Sequence, residues 1–193
     1  MTRTLIVPGL DGSPAPHWQA WWARQDCTAF VVDLPDPARP DPRKWEEELA
    51  GMILRHPGSV LVGHSLGAVL IARLLALWPQ ARVRGALLVA PAEPTGNDRI
   101  GHFGPIPERA LPVPSITVAS RNDPWMGFGR ATALASAWGS TLIDLGEAGH
   151  VNAASGFGPW PGGPVLRDRL ARGPRPIAVP DRPRQTRQLQ GIL

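Results

Sequence analysis

The stretch that most limits the fold of this 193-residue chain is Ser59 to Pro79, SVLVGHSLGAVLIARLLALWP. It opens with a short apolar run, Val60-Leu61-Val62. It breaks at Gly63-His64-Ser65-Leu66-Gly67, then resumes as a longer apolar segment that ends at Pro79. Length separates a buried strand from a buried helix. A few Val and Leu residues before the break predict a strand, and more than ten helix formers after it predict a helix. Ser65 therefore sits on a tight strand-to-helix turn with glycines two residues to either side. Such a Gly-x-Ser-x-Gly turn holds a serine hydroxyl out from a sheet in a strained backbone. The N–H groups that open the next helix point at the same spot, so Leu66 N–H can donate to an oxyanion.

The rest of the chain alternates in the same way, which predicts an α/β fold with a mainly parallel sheet and helices on both faces. Strands are expected at Thr4–Val7, Phe30–Leu34, Gly85–Val89, Ser115–Ala119 and Thr141–Leu145. Helices are expected at His17–Arg24, from Asp41 to about Arg55, at Phe128–Trp138 and at Val165–Arg172. Asp41-Pro42 is a strong helix start, an N-cap aspartate followed by proline in the first turn. Residues 91–114 hold six prolines. No long helix survives that many, so a loop with at most one short turn is expected there, and no large lid.

Length and a 43% hydrophobic content fit one domain, placed at residues 1–172. Residues 173–193 read as an irregular Pro/Arg-rich tail. No segment is apolar for long enough to span a membrane. Met1-Thr2-Arg3-Thr4 leads straight into a strand-like run without a signal-peptide core, so the cytoplasm is expected. The single cysteine, Cys27, allows no internal disulfide and reads as a small buried or half-buried residue. The net charge of +4 is unevenly spread. Arg167 to Leu193 carries seven Arg against two acids, a net +5, which leaves the first 166 residues at −1. The basic end has no aromatic residue for base stacking, which argues against nucleic acid as the partner. No metal-ligand spacing and no phosphate loop occur, so no cofactor is expected.

A nucleophilic serine needs a base, and the base an orienting carboxylate. In folds with this turn the partners follow in the order serine, acid, histidine. Asp123 lies just past the expected strand Ser115–Ala119 and is the candidate acid; Asp144 and Glu147 are weaker alternatives. His150 lies after the last strand, behind Gly149, and is the candidate base. His17, His56, His64 and His102 do not fit that slot, and the His64 side chain should point away from the hydroxyl. The glycine loop Pro8 to Ser13 should supply the second oxyanion donor, Leu10 N–H with Asp11 N–H the runner-up. Trp18, Trp125, Phe157 and Trp160 fall in loops at the same end of the sheet and can wall a small apolar acyl pocket.

Four motifs together resemble one family. They are VPGLDGSPAPHWQAWW at 7–22, GHSLG at 63–67, RNDPW at 121–125 and GHVNAASGFGPWP at 149–161. The chain resembles the small α/β-hydrolase family that includes the retinoblastoma-binding serine hydrolase and many short bacterial proteins. The resemblance covers most of the chain up to about residue 161. It implies a compact, lidless three-layer α/β-hydrolase fold with Ser65, Asp123 and His150 as triad. The expected activity is hydrolysis of small carboxylic esters or related acyl compounds through an acyl-enzyme. It should rise with pH through roughly 6.5, where a histidine base becomes neutral. An amidase or peptidase with the same triad is the rival among enzymes. A non-catalytic module that docks a protein partner on the Trp-rich loops or the tail is the rival from another class.

Overall fold

The computed structural model describes residues 2–172, and the expected tail at 173–193 lies outside the described residues. Six parallel strands form one sheet in the order β2-β1-β3-β4-β5-β6. They are β1 (Thr4–Val7), β2 (Ala29–Val31), β3 (Ser59–His64), β4 (Val83–Val89), β5 (Ser115–Ala119) and β6 (Thr141–Asp144). Five helices connect and flank them: α1 (Trp18–Gln25), α2 (Pro42–Arg55), α3 (Leu66–Leu77), α4 (Phe128–Trp138) and α5 (Gly162–Arg172).

Side chains alternate across each strand, so the two faces of the sheet feed two separate cores. Leu5, Val7, Leu61 and Leu88 face α2, α3 and α4, whose Trp45, Leu49, Leu70, Leu134 and Trp138 complete one core. Ile6, Val60, Val62, Leu87, Val89 and Val118 face α1 and α5, where Trp18, Trp22, Leu166 and Leu170 complete the other. Burial on both faces explains why the central strands read as continuous apolar runs. The result is a three-layer α/β architecture, as the sequence implies. Between β4 and β5 the only helical piece is a single 3₁₀ turn, Gly101–Phe103. No helical lid lies over the sheet among the described residues.

Asp41 caps α2 with its carboxylate, accepting from Arg43 N–H and Lys44 N–H. The edge strand β2 is shorter than its apolar run suggests. Its last residue, Val31, is 45% exposed, and Asp33 follows two residues later. Cys27 is exposed rather than buried, because it lies in the turn between α1 and β2.

The strand order places the chemistry. The chain runs from β1 outward to β2, then returns to the other side of β1 as β3. The connections therefore leave β1 and β3 in opposite directions and open a crevice at their carboxyl ends, where α/β sheets bind ligands. The Pro8–Ser13 loop leaves β1 at this crevice, and Ser65 leaves β3.

Candidate active site

Ser65 has φ 55° and ψ −124°, a backbone conformation costly for any residue but glycine. Two glycines make that turn possible. A Cβ on Gly63 would sit 2.7 Å from Ala68 Cα and from the Gly67 carbonyl carbon, across the turn. A Cβ on Gly67 would collide with the carbonyl oxygens of Val7 and Pro8, so this glycine lets α3 start against β1. A Cβ on Gly9 would lie 2.9 Å from Ser65 Cβ, so the β1 loop comes directly up to Ser65.

The structure brings Ser65, His150 and Asp123 into one hydrogen-bonded chain. Ser65 Oγ lies 2.8 Å from His150 Nε2, and His150 Nδ1 lies 2.9 Å from both carboxylate oxygens of Asp123. The carboxylate can only accept, so Nδ1 carries the proton and Nε2 presents its lone pair to the serine hydroxyl. Both partners of the His150–Asp123 hydrogen bond are buried, with side-chain exposures of 7% for His150 and 3% for Asp123. Trp125 N–H donates to Asp123 Oδ1 at 2.9 Å and fixes the carboxylate from behind. Asp144 is engaged elsewhere, with Arg121 at 2.7 Å and with Gly146 N–H.

The loop bearing His150 is held at consecutive backbone groups. Ala148 N–H donates to Ser120 Oγ, Gly149 N–H to Asn122 Oδ1 and His150 N–H to Ser155 Oγ, all between 2.7 and 3.1 Å. His64 Nε2–H donates to the His150 carbonyl and Trp18 Nε1–H to the Val151 carbonyl, both at 2.9 Å. Five side chains therefore fix a segment that has no secondary structure of its own.

Of the backbone donors expected for an oxyanion, Asp11 N–H donates to Pro37 O at 2.8 Å and is not free to serve. Leu10 and Leu66 N–H meet no carbonyl among the described residues. A cleft of about 190 Å³ opens beside them, lined by Leu10, Gly12, His17, His64, Ser65, Trp125, His150 and Asn152. Trp125 is on its wall, with its ring stacked 5.6 Å from that of His150. Trp18, Phe157 and Trp160 are not on that wall. Trp18 is fully buried, and its ring meets Trp160 edge-on at 5.1 Å, which in turn meets Phe157. A buried indole needs an acceptor for its N–H; Val151 O supplies it, so these aromatics support the His150 loop from beneath.

The HWQ triplet at 17–19 carries more than sequence reading found. Gln19 is fully buried and donates to the carbonyls of Val7 and Val62, bridging β1 and β3 at the crevice. His17 caps α1 by accepting Gln19 N–H and lies 4.8 Å from the ring of His64, which lies 4.9 Å from that of His150. His64 makes no hydrogen bond to Ser65 but reaches the same cleft. The signal for these roles was two polar residues, His17 and Gln19, flanking Trp18 at an otherwise apolar helix start.

Burial is the main cause that lowers the pKa of His17, to about 4, with the charge on His150 next. The same two causes hold His64 well below its ordinary value. The unfolded chain takes up protons on both from about pH 6.5 downward, whereas the folded protein keeps them neutral. The contribution of His17 to stability is thus fully present above about pH 6.5 and is lost as the pH falls toward 4, and that of His64 is lost in the same direction. Thermal melts from pH 8 to 4 should show the melting temperature falling across this window, with a shallower slope in His17→Gln. Equal slopes in the two proteins would reject the argument.

The profile of the serine hydrolase family matches residues 4–169. A protein from Pectobacterium atrosepticum described as a YdeN-like hydrolase is 36% identical, over 89% of this chain and 90% of that one, with a TM-score of 0.78. The ydeN gene product of Bacillus subtilis shares the fold at 22% identity and a TM-score of 0.74, over 89% of this chain and 98% of that one. Est1E from Butyrivibrio proteoclasticus shares it at 9% identity and a TM-score of 0.62, over 89% of this chain and 87% of that one. No curated protein matches the sequence. No helix among the described residues is long and apolar enough to cross a membrane. With nearly its whole described length matched, the chain belongs to the serine hydrolase family.

Proposed function

We propose that this protein hydrolyses small carboxylic esters by acyl transfer to Ser65. The observation that carries the reading is the bonded chain from Ser65 through His150 to Asp123, built on a strained turn. Ser65 Oγ attacks the ester carbonyl while His150 Nε2 takes its proton. The imidazolium that forms is stabilised by Asp123. The negative charge on the former carbonyl oxygen is met by Leu66 and Leu10 N–H, an interaction worth roughly 10²–10³ in turnover per donor in such sites. Collapse of the tetrahedral species breaks the C–O bond, and His150 returns its proton to the departing alkoxide. Water, deprotonated by His150, then attacks the acyl-enzyme and frees Ser65.

The cleft supports a small substrate. At about 190 Å³ it lies below the usual range for drug-sized ligands, and no lid covers it among the described residues. Trp125 gives it one apolar wall. A series of p-nitrophenyl esters from acetyl to decanoyl should therefore show kcat/KM highest for the short acyl groups and falling for the long ones. A steady rise up to decanoyl would remove the small-ester reading. A p-nitroanilide cleaved as fast as the ester of the same acid would favour an amidase on the same triad.

A further inference from the structure

Two histidines beside Ser65 take no part in the proton relay, and each has one ring nitrogen that meets no partner among the described residues. His17 is 6% exposed and lines the cleft. Its Nδ1 accepts from Gln19 N–H at 3.1 Å. A neutral imidazole that accepts at Nδ1 carries its proton on Nε2, and burial keeps this ring neutral, with its pKa pushed down to about 4. That Nε2–H is buried and meets no acceptor among the described residues. Native proteins rarely leave such a donor unmatched without a functional reason.

His64 has the opposite arrangement. Its Nε2 lies 2.9 Å from the His150 carbonyl, which only accepts, so Nε2 holds the proton and Nδ1 a lone pair. No described group donates to that Nδ1. The two rings meet edge-on with centroids 4.8 Å apart, and both line the cleft. The two neighbouring rings that line the cleft thus carry one unmatched donor and one unmatched acceptor. A hydroxyl is their complement, because it accepts through oxygen and donates its own proton. His64 borders His150, the group that hands a proton to the leaving oxygen, with ring centroids 4.9 Å apart. The histidine wall therefore flanks the alcohol half of the substrate.

Resting on the acyl-transfer reading above, we propose that His17 and His64 form a donor–acceptor pair that binds a hydroxyl on the alcohol half. The preferred substrates are then monoesters of diols and polyols rather than plain alkyl esters.

Two esters of equal size isolate this contact: 2-hydroxyethyl butyrate and propyl butyrate, which differ by a hydroxyl in place of a methyl. Each kcat/KM is measured by titrating the released acid and divided by the hydroxide-catalysed rate of the same ester. The unmodified protein should favour the hydroxyethyl ester by about tenfold, as expected for one hydrogen bond to a site with otherwise unmet groups. His17→Phe keeps a flat ring without the donor and should bring the ratio to about one. His17→Gln keeps an N–H donor and should recover part of it. A ratio near one in the unmodified protein overturns the proposal without any variant, as it would if water alone occupied the pair. So does a preference that survives in His17→Phe, or a loss that falls equally on both esters and marks a structural role. If the unmodified protein cleaves neither ester and a fluorophosphonate leaves Ser65 unlabelled, it is the acyl-transfer reading that has failed.

Discussion

Ser65→Ala should lower turnover of the best ester by roughly 10⁶-fold, the scale seen when a triad nucleophile is removed. It should also abolish covalent labelling by a fluorophosphonate. Although Ser65 stands at the N-cap of α3, its side chain makes no capping bond to that helix. Among the described residues, the hydroxyl's one hydrogen-bond partner is His150 Nε2. Removing Oγ therefore takes away chemistry and little structure, and the variant should melt close to the unmodified protein. A label that persists in Ser65→Ala would show that another residue reacts. An unmodified protein that takes no label would point to a binding module that keeps the fold without its chemistry.

The parts of this molecule that were legible in the sequence are those set by local pattern. The strand, turn and helix around Ser65 follow from a change in apolar run length at a Gly-x-Ser-x-Gly break, and β5 and α4 fall at their expected bounds. Chain order suggested Asp123 and His150, because each lies in the loop after a strand and the parallel sheet carries all such loops to one end. What was not legible depends on how distant segments superpose. Four aromatics were expected at the cleft because their loops are at the right end of the sheet. Only Trp125 lines it, since the fully buried Trp18 is drawn to the Val151 carbonyl and Trp160 and Phe157 pack edge-on behind it. His17 and His64 were set aside for not fitting the slot of a base. His64 precedes Ser65 in the chain, but His17 meets it in the cleft only because α1 starts over the end of β3, which no local pattern encodes. Cys27 illustrates the same limit: a cysteine's burial depends on whether a turn is covered, and this one is not.

Asp123→Asn tests the other end of the relay and should lower kcat by about 10⁴, through a change of tautomer rather than of shape. Trp125 N–H already donates to Asp123 Oδ1, at 2.9 Å. An asparagine would keep its oxygen there and turn its NH₂ toward His150 Nδ1. That nitrogen would then have to accept, and the imidazole proton would move to Nε2, where it faces Ser65 Oγ. The base would have no lone pair for the hydroxyl, although every heavy atom stayed in place. The remaining hydrogen bonds that hold the loop, accepted by Ser120, Asn122 and Ser155 and donated by His64 and Trp18, do not involve the carboxylate, so the fold should persist. Asp144→Asn is the control. That carboxylate is paired with Arg121 on the far side of the same loop, and its loss should leave ester turnover within a few-fold of the unmodified protein. Measured kcat values for the two variants decide between the carboxylates. A loss under tenfold in Asp123→Asn, or a larger loss in Asp144→Asn, would move the orienting role away from Asp123.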